Sequence, residues 1–158
     1  RSVGIEIANM GAYAAGEENP FKTWYKTLPD GETIITVPGA AETNGIRNKS
    51  IVLKPSRPKP VTGMIQGKPR TQYDLTPQQY DSLIKLTAAL HKTFPKIKLD
   101  YPHDRSGKLI RDVLPNDVYD HYEGVLGHYH VQTNKTDPGS AFQFDKVIEG
   151  AKALEAGK

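Results

Sequence analysis

Apolar and polar positions alternate from Val3 to Asn9: Val3, Ile5 and Ile7 share one face, and Gly4, Glu6 and Ala8 share the other. A period of two predicts a strand. Its second face sets small residues around one carboxylate, which suits the floor of a groove but also suits a half-exposed strand with Glu6 in solvent. A helical pattern follows much later. Thr76-Pro77-Gln78-Gln79 offers an N-cap, a proline at the first helical position and a glutamine able to close a capping box, with Leu75 and Tyr80 placed as a hydrophobic staple. Tyr80, Leu83, Ile84, Thr87, Leu90 and Phe94 then form one stripe, ended by Pro95. A second stripe, Phe144, Val147, Ile148, Ala151 and Leu154, predicts a terminal helix that packs across a sheet.

Between these elements the periodicity weakens. From Gly11 to about Tyr73, Asn19-Pro20, Pro29-Asp30-Gly31, Pro38-Gly39, Asn44-Gly45 and Gly67-Lys68-Pro69 read as turns. Trp24 to Leu28 and Thr33 to Val37 flank the Pro-Asp-Gly segment and predict a β-hairpin, and Ile51 to Leu53 reads as a further short strand. Lys96 to Asn116 is a connecting region. Val125-Leu126 reads as a brief strand leading into Gly127-His128. No internal repeat and no second domain are evident.

The 158 residues make a one-domain length, enough to bury roughly 70 % of the unfolded surface. An apolar fraction of 37 % with 25 % charged residues is ordinary for a globular protein, and no run approaches the ~18 apolar residues of a membrane span. The net charge of +3 is a small excess. The one basic cluster, Lys54 to Pro60, lacks interleaved aromatic residues on which bases stack, so it reads as a solvated proline-rich loop and nucleic acid is not an expected partner. With no cysteine there is neither a disulfide framework nor a thiolate metal site, which leaves His, Asp and Glu as strong ligands. The first residue is Arg1 rather than Met, as in a processed or trimmed chain or one part of something longer.

Chemistry is densest from Gly127 to Gly139, where His128, His130, Lys135 and Asp137 stand within a short segment closed by Pro138-Gly139. Imidazole with carboxylate is ligand chemistry suited to zinc. His128 and His130, at i and i+2, would share a face of a strand, so His128, His130 and Asp137 are one possible three-ligand set; the other reading of His130 is a groove wall or a group supporting a ligand. Lys135 and Asp137 likewise point the same way in an extended segment. Taken alone, Lys135 also fits an ordinary surface lysine. His91, His103 and His121 have no partner at ligand spacing and read as partly exposed histidines without chemistry.

Gly127-His128 followed by Lys135-Thr136-Asp137-Pro138-Gly139-Ser140-Ala141-Phe142, together with Ser2-Val3-Gly4-Ile5-Glu6-Ile7-Ala8-Asn9, resembles the zinc-dependent N-acetylmuramoyl-L-alanine amidases, which share their fold with peptidoglycan recognition proteins. The resemblance covers Val3 to Asn9 and roughly Thr76 to Ile148. It implies an α/β (or α+β) fold with a central mixed sheet flanked by helices, in which residues 11–73 are an insertion that walls the groove or covers a sheet edge. It implies Zn²⁺ as cofactor, His128 and Asp137 as two metal ligands, Lys135 as the catalytic lysine and Glu6 as the group that orients or deprotonates the metal-bound water. It also implies peptidoglycan or muropeptides as substrate, cut between N-acetylmuramic acid and L-alanine, and a secreted or periplasmic location.

Two departures bear on that reading. The family's first zinc histidine lies on a strand upstream of the glutamate strand, and this chain begins at the glutamate strand. The interval from His128 to Lys135 is also one residue shorter than in the cytoplasmic amidases, which keeps His130 open as a third ligand. The alternatives are a non-catalytic peptidoglycan-binding module with an incomplete zinc site, or an amidase completed by a separate chain that carries the missing N-terminal segment.

Overall fold

The computed structural model describes residues 2–14, 17, 19–39, 44–48 and 50–157; residues 15, 16, 18, 40–43 and 49 of the expected insertion lie outside that set. In chain order the elements are a short helix α1 (Phe21–Trp24), strands β1 (Tyr25–Thr27), β2 (Thr33–Ile35), β3 (Val61–Ile65) and β4 (Lys68–Gln72), helices α2 (Pro77–Thr93) and α3 (Asn116–Tyr119), a 3₁₀ turn at His128–His130, and helix α4 (Phe144–Glu155).

The class is α+β, but the described residues form no mixed sheet. The strands make two separate antiparallel pairs, β1 with β2 and β3 with β4. The first pair is the hairpin expected around Pro29-Asp30-Gly31. The second is unannounced by apolar alternation, because Lys68-Pro69-Arg70-Thr71-Gln72 contains no large apolar residue. Its turn chemistry carries it instead: Gln66 and Gly67 both take positive φ (48° and 70°), the conformation of a tight hairpin turn. Three other expected strands are absent among the described residues. Val3 to Asn9 pairs with no strand, and Val3 and Ile5 stay 50 % and 41 % exposed while only Ile7 packs on the core. Alternation marks a half-buried ribbon, but a strand also needs a neighbour to receive its backbone hydrogen bonds. Val125-Leu126 is likewise irregular, and Ile51 to Leu53 forms no strand, although the Leu53 carbonyl accepts from the Ile35 N–H (2.8 Å).

Helix α2 forms as its start signals predict. Thr76 Oγ1 accepts from the Gln79 N–H (3.1 Å) and Gln79 Oε1 accepts from the Thr76 N–H (2.8 Å), closing the capping box. Helix α4 packs against α2 rather than across a sheet. Gly150 permits that approach, since a Cβ there would meet Ile84 Cδ1 at 2.7 Å. Phe144, Val147, Ile148 and Ala151 are buried as expected, whereas Leu154 is exposed. Ile65, Leu75, Tyr80, Leu83, Tyr129, Phe142, Phe144 and Val147 make the core, with each large side chain contributing about 1.5–3 kcal/mol on burial. Buried Asp74 ties its edge together, accepting from Arg57 Nε (2.7 Å), Tyr80 Oη (2.6 Å), Gln143 Nε2 (2.7 Å) and the Leu75 N–H (2.9 Å).

Candidate functional site

The segment expected to bear the chemistry is a tight turn, not a strand. His128 to His130 wind through one 3₁₀ turn, so the two imidazoles leave it in different directions. His130 is fully buried. Its Nδ1 accepts from the Gly127 N–H (2.9 Å), which places the ring proton on Nε2, and Nε2 donates to the Ile110 carbonyl (2.7 Å). Both nitrogens are therefore occupied, and burial holds the imidazole pKa below its usual value. His130 fastens the turn to the 101–114 connection and has no lone pair left for a metal. The adjoining Leu114 N–H donates to the His130 carbonyl (2.9 Å), which strengthens the same seam.

His128 faces out. Its Nδ1 stands 3.1 Å from Asp137 Oδ2, with the two side chains 42 % and 65 % exposed. The intervening loop folds back because the Tyr129 N–H donates to the Asp137 carbonyl (3.2 Å) and the Lys135 N–H donates to the Gln132 carbonyl (3.3 Å). The Asp137-Pro138 peptide bond is cis. Gly127 packs directly on this bend: a Cβ there would lie 2.6 Å from Pro138 Cδ. The Gly before the histidine and the Pro after the aspartate are thus matched surfaces, and their contact closes the nine-residue gap between the two candidate ligands.

Sequence reasoning missed Gln72, the polar residue that clamps the bend. Gln72 Nε2 donates to the Pro138 carbonyl (2.9 Å) and to Asn9 Oδ1 (3.1 Å), and Gln72 Oε1 accepts from the Ala141 N–H (3.0 Å). It also missed Gln66, whose Nε2 donates to the Tyr129 (2.9 Å) and Gln132 (2.7 Å) carbonyls from the β3–β4 turn. Both belong to residues 11–73. That stretch therefore supplies the supports of the His128–Asp137 loop. No apolar period or motif signals either glutamine, and only the turn chemistry at Gln66-Gly67 hints that something is placed there.

Glu6 lies in the exposed N-terminal segment, which Asn9 joins to Gln72 and which Gln79 Nε2 holds at the Ala8 carbonyl. Its carboxylate makes no side-chain contact with the pair among the described residues. Lys135 is partly buried and makes no side-chain hydrogen bond or ion pair among them. His91, His103 and His121 are engaged locally: His91 Nδ1 with the Ile97 carbonyl, His103 Nε2 with Asp100 (3.3 Å) and His121 Nδ1 with the Asp117 carbonyl (2.8 Å).

The pair fits zinc in part. One imidazole nitrogen and one carboxylate oxygen are accepted zinc donors, and two ligands on one tetrahedral zinc, with bonds of about 2.0–2.1 Å, stand about 3.3 Å apart. The observed 3.1 Å is a direct hydrogen-bond contact between the two groups and lies near that separation. Among the described residues no group of three or more His, Asp or Glu side chains is arranged to hold a metal ion. Nor is any helix among them long and apolar enough to cross a membrane. Comparison of the chain with protein families, with curated proteins and with solved structures finds no match.

Proposed function

We propose that the chain acts as a zinc-dependent amidase on peptidoglycan or muropeptides, cutting the amide between N-acetylmuramic acid and L-alanine. The observation that carries this reading is the exposed His128–Asp137 pair, closed to 3.1 Å by a bend that Gly127 and Gln72 support. The sequence resemblance supplies the reaction. In this reading His128 and Asp137 hold the metal, and a third ligand comes from outside the described residues. Bound zinc supplies a Lewis acid and a water acidified to a pKa near 7.

The chain's own groups have separate tasks. His128 and Asp137 fix the metal's position through side chains anchored at both ends of one loop. Lys135, with no partner for its ammonium among the described residues, is available to neutralise the oxyanion of the tetrahedral intermediate. Glu6 is the general base of the resemblance, and its tether through Asn9 to Gln72 brings its segment toward the bend. The finer fold implied, a central mixed sheet, would require strand partners for residues 3–9.

A second reading has a specific observation in its favour: the described residues present two metal ligands and no third. On it the chain binds wall fragments without cutting them. Incubation of the zinc-equilibrated protein with N-acetylmuramoyl-L-alanyl-γ-D-glutamate separates the two. The amidase reading expects release of free L-alanyl peptide, abolished by a chelator and by Asp137→Ala. Binding without release would sink it in favour of the binding module.

A further inference from the structure

Strand β3 presents an open edge. On the far side of its hairpin Tyr13 bridges to Thr71: the Tyr13 N–H donates to the Thr71 carbonyl and the Thr71 N–H to the Tyr13 carbonyl, both at 2.9 Å. The backbone groups of Thr71 therefore point away from β3. Thr62 stands opposite Thr71, and Met64 opposite Pro69, so by the alternation of an antiparallel ladder the N–H and C=O groups of Thr62 and Met64 point away from β4. Those groups have no hydrogen-bond partner among the described residues, and both residues are exposed. The two edges also differ in protection. Tyr13 covers β4, which carries Lys68, Pro69 and Arg70, and cover, charge and proline all blunt an edge against further pairing. Val61-Thr62-Gly63-Met64-Ile65 has none of the three.

The open row is its own complement. Alternate positions along it are Pro60, Thr62, Met64 and Gln66. Pro60 has no N–H to give, and the Gln66 N–H already donates to the Arg111 carbonyl (2.9 Å), so the row is closed at both ends. Let two β3 strands run antiparallel about Gly63. Thr62 of each copy then faces Met64 of the other, and each of these two residue pairs exchanges both of its N–H···O=C bonds. Pro60 falls opposite Gln66, so the positions that cannot donate meet one another. Gly63 meets Gly63 at the axis, and no side chain stands between them. Residues 61–65 carry no charge, so the pairing brings no like charges together. The inner face at Gly63 is taken by the chain itself, since a Cβ built there would meet Ser140 Cβ at 3.3 Å, which leaves the edge as the free surface.

We infer that β3 is a self-association edge: two copies of the chain join antiparallel through residues 61–65, in register about Gly63, into one four-stranded sheet. A second copy matches the bounds of the row by symmetry. Five residues a side bury less than the roughly 1,200 Å² at the low end of standard interfaces, so the dimer is a weak one, with a dissociation constant of about 10 µM–1 mM. The inference depends neither on metal nor on the amidase reading. It bears on the site all the same, because the joined hairpin carries Gln66 and Gln72, the supports of the His128–Asp137 loop.

Sedimentation equilibrium of the whole chain between about 10 µM and 1 mM tests it, with a dimer expected to fill in across that range. Thr62→Lys with Met64→Lys sets like charges opposite each other in this register and should weaken association at least about tenfold, whereas Thr62→Lys with Met64→Glu sets opposite charges there and should keep it. Both double variants lose the Thr62–Thr71 hydroxyl contact (2.8 Å), so a shared loss of stability does not produce the difference. Amide exchange in the wild type needs no variant: the Thr62 and Met64 N–H groups should exchange more slowly at the high concentration than at the low, and that of Thr71, already bonded to Tyr13, should not change. A monomer at about 1 mM overturns the inference. So does a dimer that leaves the Thr62 and Met64 amides unprotected. Equal association of the two double variants overturns the register.

Discussion

Gly139 lies flat against the side-chain amide of Gln72: a Cβ on Gly139 would stand 1.9 Å from Gln72 Oε1, and Gly139 itself has φ +103°. The glycine of the Asp-Pro-Gly turn is therefore fixed twice, by its backbone conformation and by a glutamine sixty-seven positions earlier that must reach Pro138 and Ala141 past it. Gly139→Ala should cost more than the 1–3 kcal/mol or so of left-handed strain, because Gln72 must also withdraw. Denaturant unfolding measures the loss.

Gln72 is expected to act as a positioning residue. Gln72→Ala leaves the Pro138 carbonyl and the Ala141 N–H without their partner, a destabilisation of about 1–3 kcal/mol. Zinc affinity should fall about 10–100-fold, as when a supporting contact behind a ligand is removed. Gln72→Glu can still accept from Ala141 but cannot donate to Pro138, and should recover stability only in part. Unchanged zinc affinity in a folded Gln72→Ala protein would remove the glutamine from the site.

His128 and His130 should separate cleanly on mutation. His128→Ala, at an exposed position, should shift stability by no more than about 0.5 kcal/mol. His130→Ala leaves the Gly127 N–H and the Ile110 carbonyl unpaired in the interior, at about 1–3 kcal/mol for each buried group. Chemical denaturation of the two variants makes the comparison. A stable His130→Ala protein would contradict the buried role assigned to that ring.

Much of this was legible in the residues. Helix α2 announces itself through Thr76, Pro77 and Gln79, and α4 through its apolar stripe, because both patterns report local geometry. The His128–Asp137 pairing was legible only through the resemblance. Apolar alternation misled at Val3–Asn9, and a brief apolar run at Val125–Leu126, since a strand depends on a neighbour that no local pattern supplies. The opposite error hid β4, whose polar residues pair with β3 through backbone bonds and a Thr62–Thr71 hydroxyl contact (2.8 Å) rather than through apolar packing. The shared strand face expected for His128 and His130 failed for a related reason: the direction of His130 follows from a 3₁₀ turn fixed by Ile110 and Gly127, groups remote from or silent in the pattern.

Buried phenols should set the alkaline limit of the fold. Burial raises the Tyr25 pKa to about 12, and burial, then the neighbouring Asp74, raises that of Tyr80 further. A phenol whose folded value exceeds its unfolded value near 10 adds stability that is fully present below pH 10 and is lost as pH rises through the folded value. Thermal midpoints should therefore fall steadily above pH 10, and Tyr25→Phe should flatten part of that slope.

Two buried tyrosines should respond differently to removal of the hydroxyl. Tyr80 Oη donates to Asp74 and accepts from the Gln143 N–H (3.1 Å), so Tyr80→Phe should cost about 1–3 kcal/mol. Tyr129 Oη is buried without a hydrogen-bond partner among the described residues, so Tyr129→Phe should be neutral or stabilising by denaturant unfolding.

Zinc stoichiometry, measured by elemental analysis after equilibration with zinc and removal of loose metal, tests the central claim most directly when run on the wild type beside His128→Ala and Asp137→Ala. The account predicts close to one zinc per wild-type chain and loss of that zinc in both variants, each still folded. Zinc retained in the folded variants, or none held by the wild type, would contradict the assignment of His128 and Asp137 as ligands.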